Sequence, residues 1–236
     1  MMVMMNKNRR TGKKGNLFTG LGLLLIVAAL FLTGYNIWDD YRAGQASQEI
    51  VSEVVHLIPE ESLETVETDS SKSEETKAAE KVIPKFVNDP TIAMMEKEIN
   101  GQKYIGVIEI PTLELELPII SEWNDERLKI SPCRYVGSAY LNNMILSGHS
   151  YKNHFRYIRK LVEGDRVIFT DMEGTRFVYE VILQDVIAAE DVEGMLAGEW
   201  DLTLFTCTPG GKSRNTVRCQ LVEEENEWLS LINDVH

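Results

Sequence analysis

An uncharged run from Leu17 to Trp38 removes the start of this 236-residue chain from any soluble core. Wound as a helix at about 1.5 Å per residue, a run of this length covers the roughly 30 Å hydrocarbon core of a bilayer. Lys7, Arg9, Arg10, Lys13 and Lys14 lie near its start, and Asp39 and Asp40 follow it. That charge order predicts a basic cytoplasmic tail over 1–16, a transmembrane helix over 17–38, and export of everything beyond. The competing reading is a cleaved secretory signal, which has an apolar stretch of about 7 to 15 residues and small residues at its cleavage site. Here the run is longer and Leu32-Thr33-Gly34-Tyr35 is a poor cleavage site, so a retained single-pass anchor is expected.

Beyond the run the composition turns acidic. Between Glu60 and Glu80 eight acids face two lysines, too little apolar area to fold alone, and 39–88 reads as an extracellular linker. Within it Ile50, Val51, Val54, Val55 and Ile58 have helical spacing and suggest a short helix just outside the membrane. A net charge of −13, with the only basic cluster at the extreme N-terminus, argues against nucleic acid as a partner.

Ordered structure is expected to resume at Asp89, read as an N-cap with Pro90 at the first helical position, in a helix that runs to Asn100-Gly101. Strands follow. Tyr104–Ile110 and Leu113–Ile120 are separated by Pro111-Thr112, and further strands are predicted at Met144–His149, Asp165–Asp171, Thr175–Ile182, Asp201–Cys207 and Arg214–Val222. A weaker one lies near Tyr135–Tyr140, and Met172-Glu173-Gly174 reads as a hairpin turn. Short helices fit His154–Leu161 and Asp191–Leu196, and the piece from Glu223, with Trp228, Leu229, Leu231 and Ile232, reads as a short amphipathic helix. Eight short strands with few helices predict a mostly β fold, a closed or nearly closed barrel over 89–236.

Cys207 ends the apolar strand Leu202–Thr206, and the chain then turns through Thr208–Ser213 into the strand opening at Arg214. A hairpin brings Cys207 and Arg214 to neighbouring strand ends, where a cation favours the reactive thiolate and a guanidinium can donate to an oxyanion. His149 closes another strand after Gly148, well placed for proton transfer in Cys-His acyl transfer. Equally, a lone Cys or His is commonly structural, and Arg214 and Arg218 could decorate one strand face. His56, His154 and His236 read as bland, with His154 a reserve candidate. In an exported domain Cys133 and Cys219 could pair or could be two buried thiols. Glu122, Asp125 and Glu126 could offer oxygen ligands but read as solvated charges, so no required metal or cofactor is expected.

These residues carry a resemblance. Leu202-Thr203-Leu204-Phe205-Thr206-Cys207 resembles the Thr-Leu-x-Thr-Cys strand of the sortases, Ser147-Gly148-His149-Ser150 their Gly-His segment, and Arg214-Asn215-Thr216-Val217 the strand opening with their arginine. Tyr104–Pro111, Leu117–Ile120 and Gly164-Asp165 are similar to other sortase strands, and the likeness extends over about 101–222. It implies an eight-stranded sortase barrel with catalytic His149, Cys207 and Arg214. It also implies cleavage of a sorting signal similar to Leu-Pro-x-Thr-Gly through an acyl-enzyme on surface proteins, and transfer to an amine acceptor from a cell-wall precursor or a pilin. On subclass, Gly148–Phe155 and the helix before the barrel resemble class B. The long helical insertion of that class is missing, Thr91 stands where pilus-building lids carry an aromatic, and no second span follows. A catalytically silent surface β-barrel on an acidic stalk is the alternative from another class, and a hydrolytic cysteine protease is a third, for which no residue orienting the histidine is identified.

Overall fold

In the computed structural model, residues 12–59, 84–226 and 228–229 are described. The basic tail through residue 11, the most acidic part of the linker, Leu231, Ile232 and His236 lie outside them. Two compact units divide the chain, residues 1–42 and 43–236.

In the first unit, helix α1 (Gly12–Leu57) carries the apolar run. From Phe18 to Trp38 its large apolar side chains are all exposed, an arrangement that water penalises and lipid does not. Among the described residues it is the one helix long and apolar enough to cross a membrane.

The second unit begins inside the same helix. Ala43, Ser47, Ile50, Val54 and Ile58 recur every three to four residues and are all buried. Ile50, Val54 and Ile58 pack on Ile99, Tyr104, Val107, Ile120, Leu128, Cys133 and Met172. The short helix suggested near Ile50 is therefore the end of α1, and the folded unit starts well before residue 89.

Short helix α2 (Lys85–Asn88) inserts Phe86 between Tyr140, Phe177 and Trp228. Nine strands follow among the described residues: β1 (Lys97–Ile99), β2 (Gln102–Ile110), β3 (Leu115–Ile120), β4 (Cys133–Val136), β5 (Met144–Ser147), β6 (Arg166–Asp171), β7 (Arg176–Ala188), β8 (Leu202–Cys207) and β9 (Ser213–Leu221). Helix α3 (Val192–Leu196) stands between β7 and β8, N-capped by Asp191, whose carboxylate accepts from the Gly194 amide.

The helix expected over Asp89–Gly101 does not form. The Asp89 carboxylate accepts from the amide and hydroxyl of Thr91, closing a local turn instead of capping a helix. Residues 97–99 then pair with 102–104 across Asn100 and Gly101, both at positive φ, a hairpin turn that this dipeptide favours. One feature suggesting class B thereby disappears.

The remaining eight strands run β2-β3-β4-β5-β8-β9-β7-β6, and β6 pairs back onto β2 to close the barrel. Its interior is apolar, with Ile105, Ile108, Leu117, Leu146, Phe169, Phe177, Leu204 and Val217 among the fully buried side chains. Two of the pairings are parallel, β3 with β4 and β5 with β8.

At the β6–β7 turn the buried Asp171 carboxylate accepts from the Tyr140 hydroxyl at 2.8 Å and from the amides of Glu173 and Thr175. Burial raises its pKa to about 6 despite these bonds. A carboxyl raised above its unfolded value stabilises the fold most when protonated, and this contribution is lost as pH rises through about 6. Relative to Asp171→Asn, the wild type should lose on the order of 3 kcal/mol of stability between pH 4 and pH 7, measured by denaturant unfolding.

Candidate active site

Strand β8 is the middle of three. On one side it pairs in parallel with β5, Met144 opposite Leu202 through Ser147 opposite Phe205, and the Gly148 amide donates to the Phe205 carbonyl at 3.0 Å. Pairing ends there, and His149 follows one residue beyond Gly148, on the segment that leaves β5 beside the end of β8. On the other side β8 pairs with β9, and Cys207 is the direct partner of Arg214. Neighbouring strands lie about 4.8 Å apart, so Cys207 and Arg214 stand side by side, at the barrel end where β5 gives way to the His149 loop.

They also share a face. Met144, Leu146, Leu202, Leu204, Val217 and Cys219 point into the barrel, whereas Ile145 and Phe205 belong to a separate outer cluster with Met195, Tyr135 and Ile187. With side chains alternating every residue along β8 and β9, Cys207 and Arg214 fall on the outer face. His149, Cys207 and Arg214 are all half-buried.

Each is held locally. The turn after Cys207 is closed by the Thr208 amide donating to the Ser213 carbonyl at 3.0 Å and the Gly211 amide to the Thr208 carbonyl at 2.8 Å. Arg214 leans on it, donating to the carbonyls of Gly211 and Ser213 at 3.1 and 3.3 Å. His149 is carried by a loop that the buried Phe155 fastens, its amide donating to the His149 carbonyl. Gly148 presses on that ring: a Cβ there would lie 2.5 Å from two of its carbons. Gly148→Ala should therefore cost about 1–3 kcal/mol, read as a lower midpoint in denaturant unfolding.

Arg218, which the sequence places on the same strand face as Arg214, has a different environment. Its buried guanidinium donates to the Gly194 and Met195 carbonyls at 2.7 and 2.8 Å and to the Thr203 hydroxyl at 3.2 Å, with Asp185 4.0 Å away. It pins α3 over the outer face. Under that segment lies an open cavity of about 160 Å³, lined by Ile145, Met195, Leu196, Trp200, Thr203 and Arg218 among others. Beside it Trp123, Tyr135 and Phe205 meet edge to face at 5.8 and 5.4 Å.

The other sulfurs are closed off. Cys219 sits inside the barrel and Cys133 outside it beneath the end of α1, both as free thiols. Burial pushes the Cys133 thiol up to about 12 and the Cys219 thiol higher still, so neither offers a thiolate. The reserve candidate His154 is buried against Ser47, and His56 is exposed on α1. Glu122 pairs with Arg127 at 2.9 Å, and Asp125 and Glu126 are exposed. Among the described residues no three His, Cys, Asp or Glu side chains cluster as a metal site. Sequence reasoning missed the clamp made by Arg218, because its shortest bonds go to backbone carbonyls, which leave no trace in residue type.

A thiol with a guanidinium as its cross-strand partner and an imidazole on a nearby loop can take an acyl group as a thioester and pass it on, the chemistry of a cysteine transpeptidase. Residues 108–222, from the last three residues of β2 to just past β9, match the sortase domain model. Over that span the chain carries a sortase domain. It is 25% identical over 200 residues to Sortase A of Bacillus anthracis, covering 82% of this chain and 88% of that protein. Among solved structures, Sortase A from Corynebacterium diphtheriae is 26% identical at a TM-score of 0.46, and sortase C1 from Streptococcus agalactiae 26% at 0.47. These alignments take in 51% and 53% of this chain, and 61% and 70% of the respective structures.

Proposed function

We propose that this chain is a membrane-anchored sortase that cleaves a sorting signal similar to Leu-Pro-x-Thr-Gly and joins the protein bearing it to an amine. Cys207 is the nucleophile. Its thiolate attacks the carbonyl carbon before the scissile bond, the oxyanion accepts hydrogen bonds from Arg214, and the C–N bond breaks as His149 gives its proton to the leaving amine. An acceptor amine, from a cell-wall precursor or a pilin, then attacks the thioester. His149 takes the proton back, the C–S bond breaks and the thiolate is restored.

The observation that supports this reading is the pairing of Cys207 with Arg214 across β8 and β9, with β5, which leads into His149, as the other neighbour of β8. The cavity and aromatic wall on the outer face suit the apolar residue of an extended peptide. Export supports it too: α1 serves as the anchor, with 1–16 in the cytoplasm, 39–88 as juxtamembrane helix and linker, and the catalytic barrel outside.

The test uses the full chain in detergent micelles, because residues 43–58 belong to the folded unit. Incubation with a Leu-Pro-x-Thr-Gly peptide library should give ligated product when an amine is added, and a covalent adduct on Cys207 by mass spectrometry. Cleavage unaffected by the amine would point to a protease, and neither product nor adduct to a silent binding barrel.

A further inference from the structure

We propose that the end of α1 is a brace for the catalytic histidine: Ser47 holds His154, and Tyr151, set between the two imidazoles, passes that constraint to His149. His149, Tyr151 and His154 lie on one short loop. The Tyr151 ring centroid is 4.8 Å from that of His149 and 5.4 Å from that of His154. Aromatic contacts at these separations favour definite ring orientations.

Ser47 anchors the far end. Its hydroxyl donates to the Ile130 carbonyl at 2.8 Å, and its oxygen lies 3.0 Å from His154 Nε2. A hydroxyl has one proton and a carbonyl can only accept, so Ser47 accepts from an Nε2–H of His154, which fixes that ring's protonated nitrogen and tilt. Both groups are buried, Ser47 at 1% and His154 at 1% exposure, so water does not readily replace the bond. A second contact presses on the same loop: Gly44 lies so close to Asn153 that any Cβ would overlap its side chain. Within the loop the Arg156 side chain donates to the Ser150 carbonyl at 2.7 Å and the His154 amide to the Tyr151 carbonyl at 3.1 Å, so the segment moves as one piece. Ser47, Tyr151 and His154 are positioning residues, and the proposal rests on the catalytic reading of His149.

The chain has four histidines, which makes their imidazole NMR signals a direct readout, with His149 identified by its loss in His149→Asn. In the full chain in micelles, Ser47→Ala should shift the signals of His154 and His149 and leave His56 and His236 in place. It should lower kcat for peptide transfer about three- to tenfold with KM within twofold. Ser47→Thr, which keeps the hydroxyl, should restore both. Ser52→Ala, on an exposed part of the same helix where the hydroxyl donates to the Glu49 carbonyl, should change neither. In a Tyr151→Leu background the His149 signal should no longer respond to Ser47→Ala, a non-additivity that general destabilisation does not produce. A shift of His154 alone, with His149 and kcat as in wild type, overturns the brace. If the wild type transfers no peptide yet the His149 signal still follows Ser47, the brace stands and the catalytic reading falls.

Discussion

Cys207→Ala should abolish adduct formation and lower peptide transfer by about 10⁴-fold or more, the scale lost when a nucleophile acting in concert with its base is removed. The barrel should unfold at the same denaturant concentration, since the side chain is half-buried at a strand end and holds no partner in place. Cys133→Ala and Cys219→Ala should behave in the opposite sense. Both remove a buried side chain, costing about 1–2 kcal/mol, and both should leave the adduct intact because their thiols are held neutral by burial. Mass spectrometry of the trapped thioester together with denaturant unfolding separates the three.

The two arginines of β9 should divide function from stability. Arg214→Met removes the donor level with the sulfur and should lower kcat about 10²- to 10³-fold with little change in unfolding. Arg218→Met strands the carbonyls of Gly194 and Met195 and the hydroxyl of Thr203, and should cost about 3 kcal/mol or more. With α3 released from the outer face, the residual activity of that variant should show a raised KM. Steady-state kinetics read beside chemical denaturation decide the matter; equal loss of kcat in two variants of equal stability would refute the division.

Strand identity was legible because branched and aromatic residues cluster between turn formers, and seven of the eight barrel strands lie where that pattern puts them; the weak one expected near Tyr135–Tyr140 forms at Cys133–Val136 instead, and Ala139–Leu141 makes a 3-10 turn. Their ends were less so. β7 runs on to Ala188, past the predicted end at Ile182, because a register shift between Val181 and Leu183 lets a half-exposed stretch keep pairing with β9. The stretch before the barrel misled for a related reason: Asp89-Pro90 is a sound helix start locally, but pairing of 97–99 with β2 is a tertiary decision. Cys207 opposite Arg214 could be read from a hairpin. His149 beside the end of β8 could not, since a parallel pair between distant segments leaves no periodic signal, and only the resemblance joined them. Ser47 and Tyr151 were hidden for the same reason, their significance lying in neighbours brought by folding.

The parallel union of β5 and β8 has a consequence for how the protein comes into being. A hairpin such as β8–β9 can zip from its turn, but parallel neighbours must wait until the intervening β6 and β7 have been laid down. An emerging polypeptide thus keeps β8 and the His149 loop apart until the ring shuts, so acyl transfer should appear in the same event that completes the architecture. Fold closure and enzymatic competence should rise with a single rate constant during refolding.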